Sequence, residues 1–376
     1  IAGEDLFSEI GFPAGVAALF PAFGVGRNQG FVSHGAATAD ATIEVVEPVL
    51  TLAKSGDPLT GDAGDLVTYT VQVEHDGAST GPAFDLVIQD DLAGGLLDLS
   101  VGTVTATIDG IAIPAGQITT GNTAGDTTVR INVPQLDQGQ VLEIVYTGAL
   151  NQDVSYSQTV TNTATADYDS SDEDDPAIGR AGDQLSDDES VVTPEPTFAK
   201  DVFSSNQSET DGSELTVGEE VTYRLTIELP EGTSDIVVED VLPTGLVYIS
   251  SEVISFDAGV TSTGLGVGDS GVNTDQTTVF DLGEVVSAAS AIAGDDVIIL
   301  EVTARVDKNP ANVDGQSLTN NATMTFENGA LTSDATVDII EPLLILDKSV
   351  TPTTGDAGDL ISYTLRVEHD PASNAP

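Results

Sequence analysis

Residues 65–74 alternate along the chain. Val67, Tyr69, Val71 and Val73 fall on one side, and Thr68, Thr70, Gln72 and Glu74 on the other. That is the period of a half-buried β-strand. Comparable runs occur at 84–90 (FDLVIQD), 101–109 (VGTVTATID), 127–133 (TTVRINV), 141–149 (VLEIVYTGA) and 159–168 (TVTNTATADY). Threonine and valine fill these runs, and both suit a pleated surface. Gly, Pro, Asp and Asn punctuate at short intervals, and no long helical pattern with caps appears. The prediction is an all-β chain.

The runs recur. TGDAGDLVTYTVQVEHD at 60–76 returns as TGDAGDLISYTLRVEHD at 354–370, and DATIEVVEP at 40–48 as DATVDIIEP at 334–342. A shorter period lies inside this one. EPVLTLAK (47–54), EPTFAK (195–200) and EPLLILDK (341–348) each open a unit. LVTYTVQV (66–73), EVTYRLTI (220–227) and LISYTLRV (360–367) follow, and TVTNTATADY (159–168) and SLTNNATMTF (317–326) close it. Self-similarity at fixed spacing marks an array of modules. We expect two full modules, 47–194 and 195–340, with residues 1–46 closing a preceding module and 341–376 opening a following one. About seven strands in about 150 residues predicts an antiparallel β-sandwich of immunoglobulin-like type for each. Residues 341–376 alone are too short to bury a core, so the ends read as cuts in a longer array.

Composition narrows the function classes. The net charge is −52, from 62 acidic residues against 10 basic. Phosphates need cations, which argues against nucleic acid, and the same charge argues against anionic lipid surfaces. No stretch reaches the ~18 apolar residues of a membrane helix; the nearest, 12–26, is broken by two prolines. Hydrophobic residues make up 40% of the chain, too many for a disordered polymer. There is no cysteine, so no disulfide framework exists. His34, His75 and His369 are the only histidines, and two are copies of one repeat position. No nucleophile elbow or phosphate loop is present. The chain reads as a non-enzyme.

The order of lysine after an EP entry, then G-D-x-V-x-Y-T, then D-x-L-P-x-G-L, then T-N-x-A-T, resembles the repeat domains of prokaryotic surface proteins. It is similar to the isopeptide-forming domains of Gram-positive fimbriae. The second module carries the pattern best, in VTYRLTIELPEG (221–232), VEDVLPTGLVYISS (238–251) and LTNNATMTF (318–326). The first departs at QDDLAGGLLDLS (89–100), where the proline turn is missing. The resemblance implies extracellular stalks, adhesins and filaments.

Three of the four lysines, Lys54, Lys200 and Lys348, share one repeat position, while Lys308 stands apart. Asp90 aligns with Asp240, and Asn162 with Asn320. Lysine, aspartate and asparagine on first, middle and last strands are the ingredients of an intramolecular isopeptide bond. Burial favours a neutral amine and a protonated acid; the amine then attacks the asparagine amide while the acid polarises its carbonyl and moves the proton. The competing reading is a lysine–aspartate ion pair, since buried lysines usually have a partner. Coincidence of repeat ancestry is the remaining reading of the alignment. Asn28 is the loosely aligned counterpart in the preceding module.

The run at 167–190 is the densest in acid. Asp167, Asp169, Asp172, Glu173, Asp174 and Asp175 are the candidate ligands of a calcium ion, a hard cation that takes six to eight oxygens. The spacing is not an EF-hand, and a charge block of this kind is more often a solvated loop or tail. The run is expected between the closing strand of one module and the lysine strand of the next, where a cation would stiffen a self-repelling linker. Asp62 and Asp65, repeated as Asp356 and Asp359, form a second acidic pair that a turn explains as well. The apolar stretch 6–25 is expected to pack on its own module.

The resulting expectation is a structural segment of an extracellular, cell-surface stalk, adhesin shaft or filament that partners with itself. Two alternatives remain: a module recognising glycans or a host surface, and a subunit polymerising by strand exchange at exposed edges.

Overall fold

The computed structural model describes residues 26–31, 38–172, 182, 184–208, 210, 212–290, 296–373 and 375. Among them the chain is all-β, interrupted only by 3-10 turns at Ala93–Gly95 and Ala115–Gln117. The alternation of Val67, Tyr69, Val71 and Val73 has its expected cause: these side chains are buried, and their strand, Leu66–His75, presents them to a core.

Two hydrophobic cores form. The first draws on residues between Leu50 and Val191 and lies between two antiparallel sheets. One sheet runs in the order Leu50–Asp57, Leu66–His75, Val141–Leu150, Thr105–Ile108, Ile111–Ala112. The other runs Leu185–Val192, Thr159–Asp169, Ala83–Asp91, Thr128–Leu136, Ile118–Thr120. The second core, between Leu215 and Ile339, repeats the plan. Thr197–Ser205, Glu220–Glu228, Val297–Val306 and Leu246–Phe256 form one sheet; Gly329–Ile339, Ser317–Phe326, Gly232–Val241 and Thr277–Ser287 form the body of the other. Each fully buried Val, Leu or Ile contributes about 1.5–3 kcal/mol, so each core supports its own sandwich.

One placement differs from expectation. The second half of the acidic run does not lie between modules. Leu185–Val192 pairs antiparallel with Thr159–Asp169 and ends the first sandwich as an edge strand, with Asn162 opposite Glu189. Gly329–Ile339 takes the same place beside Ser317–Phe326 in the second sandwich, with Asn320 opposite Ala335, and there the short strand Glu214–Leu215 pairs parallel along its outer side. The physical reason is that Val191 is buried in the core while the acids fall on partly or fully exposed positions. Charge on an edge strand also discourages pairing with other chains. Residues 193–196 make the passage between sandwiches.

The junction is packed. Tyr156 lies in the first sandwich's sequence but is fully buried in the second core. Its carbonyl accepts a hydrogen bond from Asn328 Nδ2 at 2.9 Å. Thr233 donates its backbone N–H to Val154 O at 2.9 Å and its hydroxyl to Gln152 O at 2.8 Å. Gln152 Nε2 donates to Ser287 O at 2.8 Å, and its oxygen accepts from the Ala289 N–H at 3.1 Å.

At the two ends stand hairpins. Gly26–Phe31 pairs with Thr38–Ile43, and Leu344–Thr351 with Ser362–His369. In the second hairpin Leu346, Tyr363, Leu365 and Val367 are exposed, as a pair of strands without a facing sheet requires. The stretch 6–25 lies outside the described residues.

Candidate functional site

The lysine position lies at the sheet seam. Lys54 sits opposite Val71, Lys200 opposite Leu225 and Lys348 opposite Leu365, one register in all three copies. Its backbone is held from across the seam: the Lys54 N–H donates to Asp187 Oδ2 at 2.7 Å, and the Lys200 N–H to Ser333 Oγ at 3.0 Å. Asp90 and Asn162 lie on the facing sheet. Asp90 pairs with Ala164 and Asp240 with Ala322, so each asparagine, two residues before that alanine, is on the same inward face as its aspartate. In both sandwiches the three residues are buried, with both asparagines fully enclosed.

In the first sandwich Lys54 Nζ lies 2.5 Å from Asp90 Oδ2. The Tyr146 hydroxyl donates to the same oxygen at 2.5 Å. It accepts from Asn162 Nδ2 at 2.7 Å and from Lys54 Nζ at 3.3 Å. Tyr146 thus joins the lysine, the acid and the amide at one oxygen. Asp90 Oδ1 and Asn162 Oδ1 have no hydrogen-bond partner. The Tyr69 and Tyr146 rings stack with centroids 5.4 Å apart, and Lys54 Nζ lies 5.0 Å from the Tyr69 centroid.

The second sandwich repeats the arrangement without the bridge. Lys200 Nζ is paired with Asp240 Oδ2, and lies 5.1 Å from the Tyr223 ring centroid. The Asn320 amide neighbours the Asp240 carboxyl, whose pKa burial raises, and with Lys200 it opposes that rise. Yet neither amide atom makes a hydrogen bond of good geometry. The register explains the difference. Tyr146 is opposite Tyr69, whereas Val302 is opposite Tyr223.

Burial governs the electrostatics. Loss of water pushes Lys54 and Lys200 down from the usual lysine value, and the attraction of Asp90 and Asp240 only partly opposes it. The same burial pushes Asp90 and Asp240 up, against the pull of their lysines. Both directions favour a neutral amine beside a neutral acid. The Tyr146 hydroxyl is pushed far above its ordinary range by burial, then by Asp90, and remains an O–H donor.

Lys348 is exposed in its hairpin, 4.8 Å from the Tyr363 ring centroid. No third sheet faces it among the described residues. Asn28 lies opposite Ala41 as Asn320 lies opposite Ala335. Since DATI at 40–43 matches DATV at 334–337, the register places Asn28 at the asparagine position.

Of the proposed cation ligands, Asp167, Asp169 and Asp172 lie among the described residues. Asp167 and Asp169 lie on the closing strand Thr159–Asp169, and Gln184 Nε2 donates to Asp167 Oδ1 at 3.0 Å. Asp172 follows that strand; Glu173, Asp174 and Asp175 lie outside the described residues. Among the described residues no group of three or more acidic, histidine or cysteine side chains is placed to hold a metal ion. Asp65 turns back onto the Asp62 N–H at 3.2 Å, and Asp359 onto the Asp356 N–H at 2.6 Å, which is turn chemistry in both copies. The imidazole of His75 spans Ser79 Oγ at 2.7 Å and Leu136 O at 3.0 Å, a structural tie between strands.

Sequence reasoning missed Tyr146 and Tyr156. The signal for Tyr146 was its alternation phase in VLEIVYTGA, which puts it inward beside the lysine strand. Tyr156 carried no signal, because a loop aromatic is not periodic.

No family model and no curated protein matches this sequence. Among solved structures the chain is similar to a 35 kDa C-terminal fragment of the major pilin GBS80 of Streptococcus agalactiae. Identity is 12%, coverage 76% of this chain and 91% of that one, and the TM-score 0.32. Domains D2 and D3 of the major pilin SpaD of Corynebacterium diphtheriae match at 11% identity, over 73% of this chain and 82% of that one, with a TM-score of 0.30. A variant of the major pilin subunit of Bacillus cereus matches at 12%, over 85% of this chain and 75% of that one, with a TM-score of 0.29. Similarity of this order assigns no function.

Proposed function

We propose that this chain is a mechanical segment of an extracellular shaft or filament, and that each full sandwich is locked by a bond between its lysine and its asparagine. The observation that carries the reading is the buried set Lys54–Asp90–Asn162 and its repeat Lys200–Asp240–Asn320. The lysine lies on one sheet and the acid and amide on the other. An amide bond from Nζ to the asparagine Cγ would therefore tie the first strand to the closing strand across the core. Pulling on the chain ends loads the lysine strand and the last strand, Leu185–Val192 or Gly329–Ile339, which is hydrogen-bonded to the tied asparagine strand; behind that last strand a covalent tie resists what hydrogen bonds yield to.

The chemistry follows from the site. A proton passes from Nζ to the aspartate, leaving a neutral amine and a neutral acid. The amine attacks Cγ, the acid stabilises the developing charge on Oδ1, and ammonia leaves. A dry site makes each electrostatic contact stronger than in water.

Self-association along an array fits the packed junction and the matching registers at both ends. The alternative of strand exchange rests on the exposed apolar face of the hairpin Leu344–Thr351 and Ser362–His369. Calcium remains a proposal for the acidic run 167–175 alone.

Intact-mass spectrometry on denatured protein spanning residues 40–345 tests the covalent reading. A deficit of one ammonia per sandwich supports it. A mass equal to the sequence ends it, and Lys54–Asp90 is then an ion pair.

A further inference from the structure

The two sites differ in one chemical respect. The first holds a hydroxyl among its reacting atoms; the second holds the Val302 side chain at that register position. Tyr146 Oη contacts Lys54 Nζ, Asp90 Oδ2 and Asn162 Nδ2 at once, and nothing else in the first core needs that hydroxyl. A buried hydroxyl serving only packing is costly to retain, since phenylalanine has nearly the same shape without the polar group. Its position also matches a particular step. Nδ2 is the nitrogen that departs as ammonia, and Tyr146 touches that nitrogen rather than the amide oxygen.

We propose, building on the bond inferred above, that Tyr146 is a catalytic residue of the first sandwich, relaying a proton from Asp90 to the leaving nitrogen of Asn162. Lys54 first yields a proton to Asp90 Oδ2. Its lone pair then forms the Nζ–Cγ bond, and the carbonyl π pair moves onto Oδ1. Tyr146 Oη–H passes its proton to Nδ2 and takes the proton of Asp90. The Asp90 carboxylate takes the surplus proton from Nζ. The Cγ–Nδ2 bond breaks with its electron pair on nitrogen, the carbonyl re-forms, and ammonia leaves. Tyr146 ends as it began, Asp90 ends protonated with the proton that Lys54 no longer carries, and no oxidant or reductant is consumed. In the second sandwich Asp240 must do both transfers, because Asn320 adjoins it without an intervening hydroxyl. The two sandwiches of one chain therefore mature at different rates, the first faster.

The test is a time course of cell-free synthesis of residues 40–345, quenched in denaturant and digested. Mass spectrometry then follows the Lys54–Asn162 and Lys200–Asn320 linked peptides separately. In Tyr146→Phe the first link should form about a hundredfold more slowly, within the range of general acid–base catalysis. The second link, in the same molecules, should keep its rate. A fluorotyrosine at position 146 keeps shape and hydroxyl but makes a more acidic phenol, so its rate and pH profile should shift while folding is preserved. This covers the case in which phenylalanine disturbs the first core. A wild-type chain that links both sandwiches, with Tyr146→Phe linking the first as fast as wild type, overturns the relay alone. An unchanged fluorotyrosine profile does the same. A wild-type chain that links neither sandwich overturns the bond and the relay together.

Discussion

Gly232 opens the acid-bearing strand of the second sandwich against the carbonyl of Val154 in the first. Its φ is 144°, and a Cβ built there would lie 2.5 Å from Val154 O. The neighbouring Thr233 N–H donates to the same carbonyl. The strand therefore starts at a point where only glycine permits the junction's close approach.

Gly232→Ala should weaken the junction, by about 1–3 kcal/mol for the strained φ alone. Thermal unfolding of the two-sandwich protein, with each sandwich probed separately, checks this. The second sandwich should lose stability while the first is nearly unchanged. Equal loss in both would show that the contact is not confined to the strand start.

Tyr156 makes the second sandwich depend on the first. Its ring is fully buried in a core to which its own strands do not belong. Burial pushes its hydroxyl well above the ordinary tyrosine value, and that hydroxyl has no hydrogen-bond partner. Tyr156→Ala should destabilise the second sandwich by about 3–5 kcal/mol, the cost of a buried aromatic cavity. Tyr156→Phe should be neutral or stabilising, since it removes an unsatisfied polar atom. Urea unfolding of both variants decides; a loss confined to the first sandwich would refute the assignment.

Asp62 couples the junction to pH. Its Oδ2 accepts the Glu231 N–H at 3.3 Å. Burial raises its pKa above 3.8, the Glu231 N–H lowers it, and Asp65 and Glu231 add like charge. A folded pKa above the unfolded one means that the folded state binds more protons between the two. The favourable contribution is full below about 3.8 and is lost as pH rises through the raised value. Asp62→Asn should thus stabilise the junction at neutral pH, by less than about 1 kcal/mol because solvent screens the group. The advantage should vanish towards pH 3.8. Tm measured over that pH range reads it directly.

How much of this was legible depends on what repeats. Lys54, Asp90 and Asn162 could be aligned with Lys200, Asp240 and Asn320 because both modules keep them, and alternation put each on an inward face. Tyr146 escaped because its counterpart is Val302; a search for shared positions discards what only one copy holds. The strand Leu185–Val192 escaped because its run of acids hid the inward Val191. Exposed edges tolerate charge, so hydrophobic period is weakest there. Tyr156 and Gly232 act across two sandwiches, and sequence periodicity reports only the element in which a residue lies.

The last prediction concerns the ion pair once the covalent route is closed. In an Asn162→Ala background Lys54 and Asp90 remain buried together with no amide to react with. Between pH 3.8 and the raised Asp90 value, the folded state holds a proton that the unfolded chain has lost, so stability falls as pH rises through that window. Between the lowered Lys54 value and 10.5, the unfolded chain holds a proton that the folded state has lost, so stability rises with pH there. Both slopes place a minimum at intermediate pH, where the pair contributes least. Replacing it by Lys54→Met with Asp90→Leu should then stabilise the unlinked sandwich by about 1–4 kcal/mol, most at that minimum. Asp90→Ala alone should instead cost about 3–5 kcal/mol, because Lys54 is left buried without a carboxylate. Urea titrations across pH separate the two variants. A double variant less stable than the pair at neutral pH would mean that Lys54 and Asp90 are ionised and well solvated by each other, and the proton transfer that starts the bond would then lack its driving force.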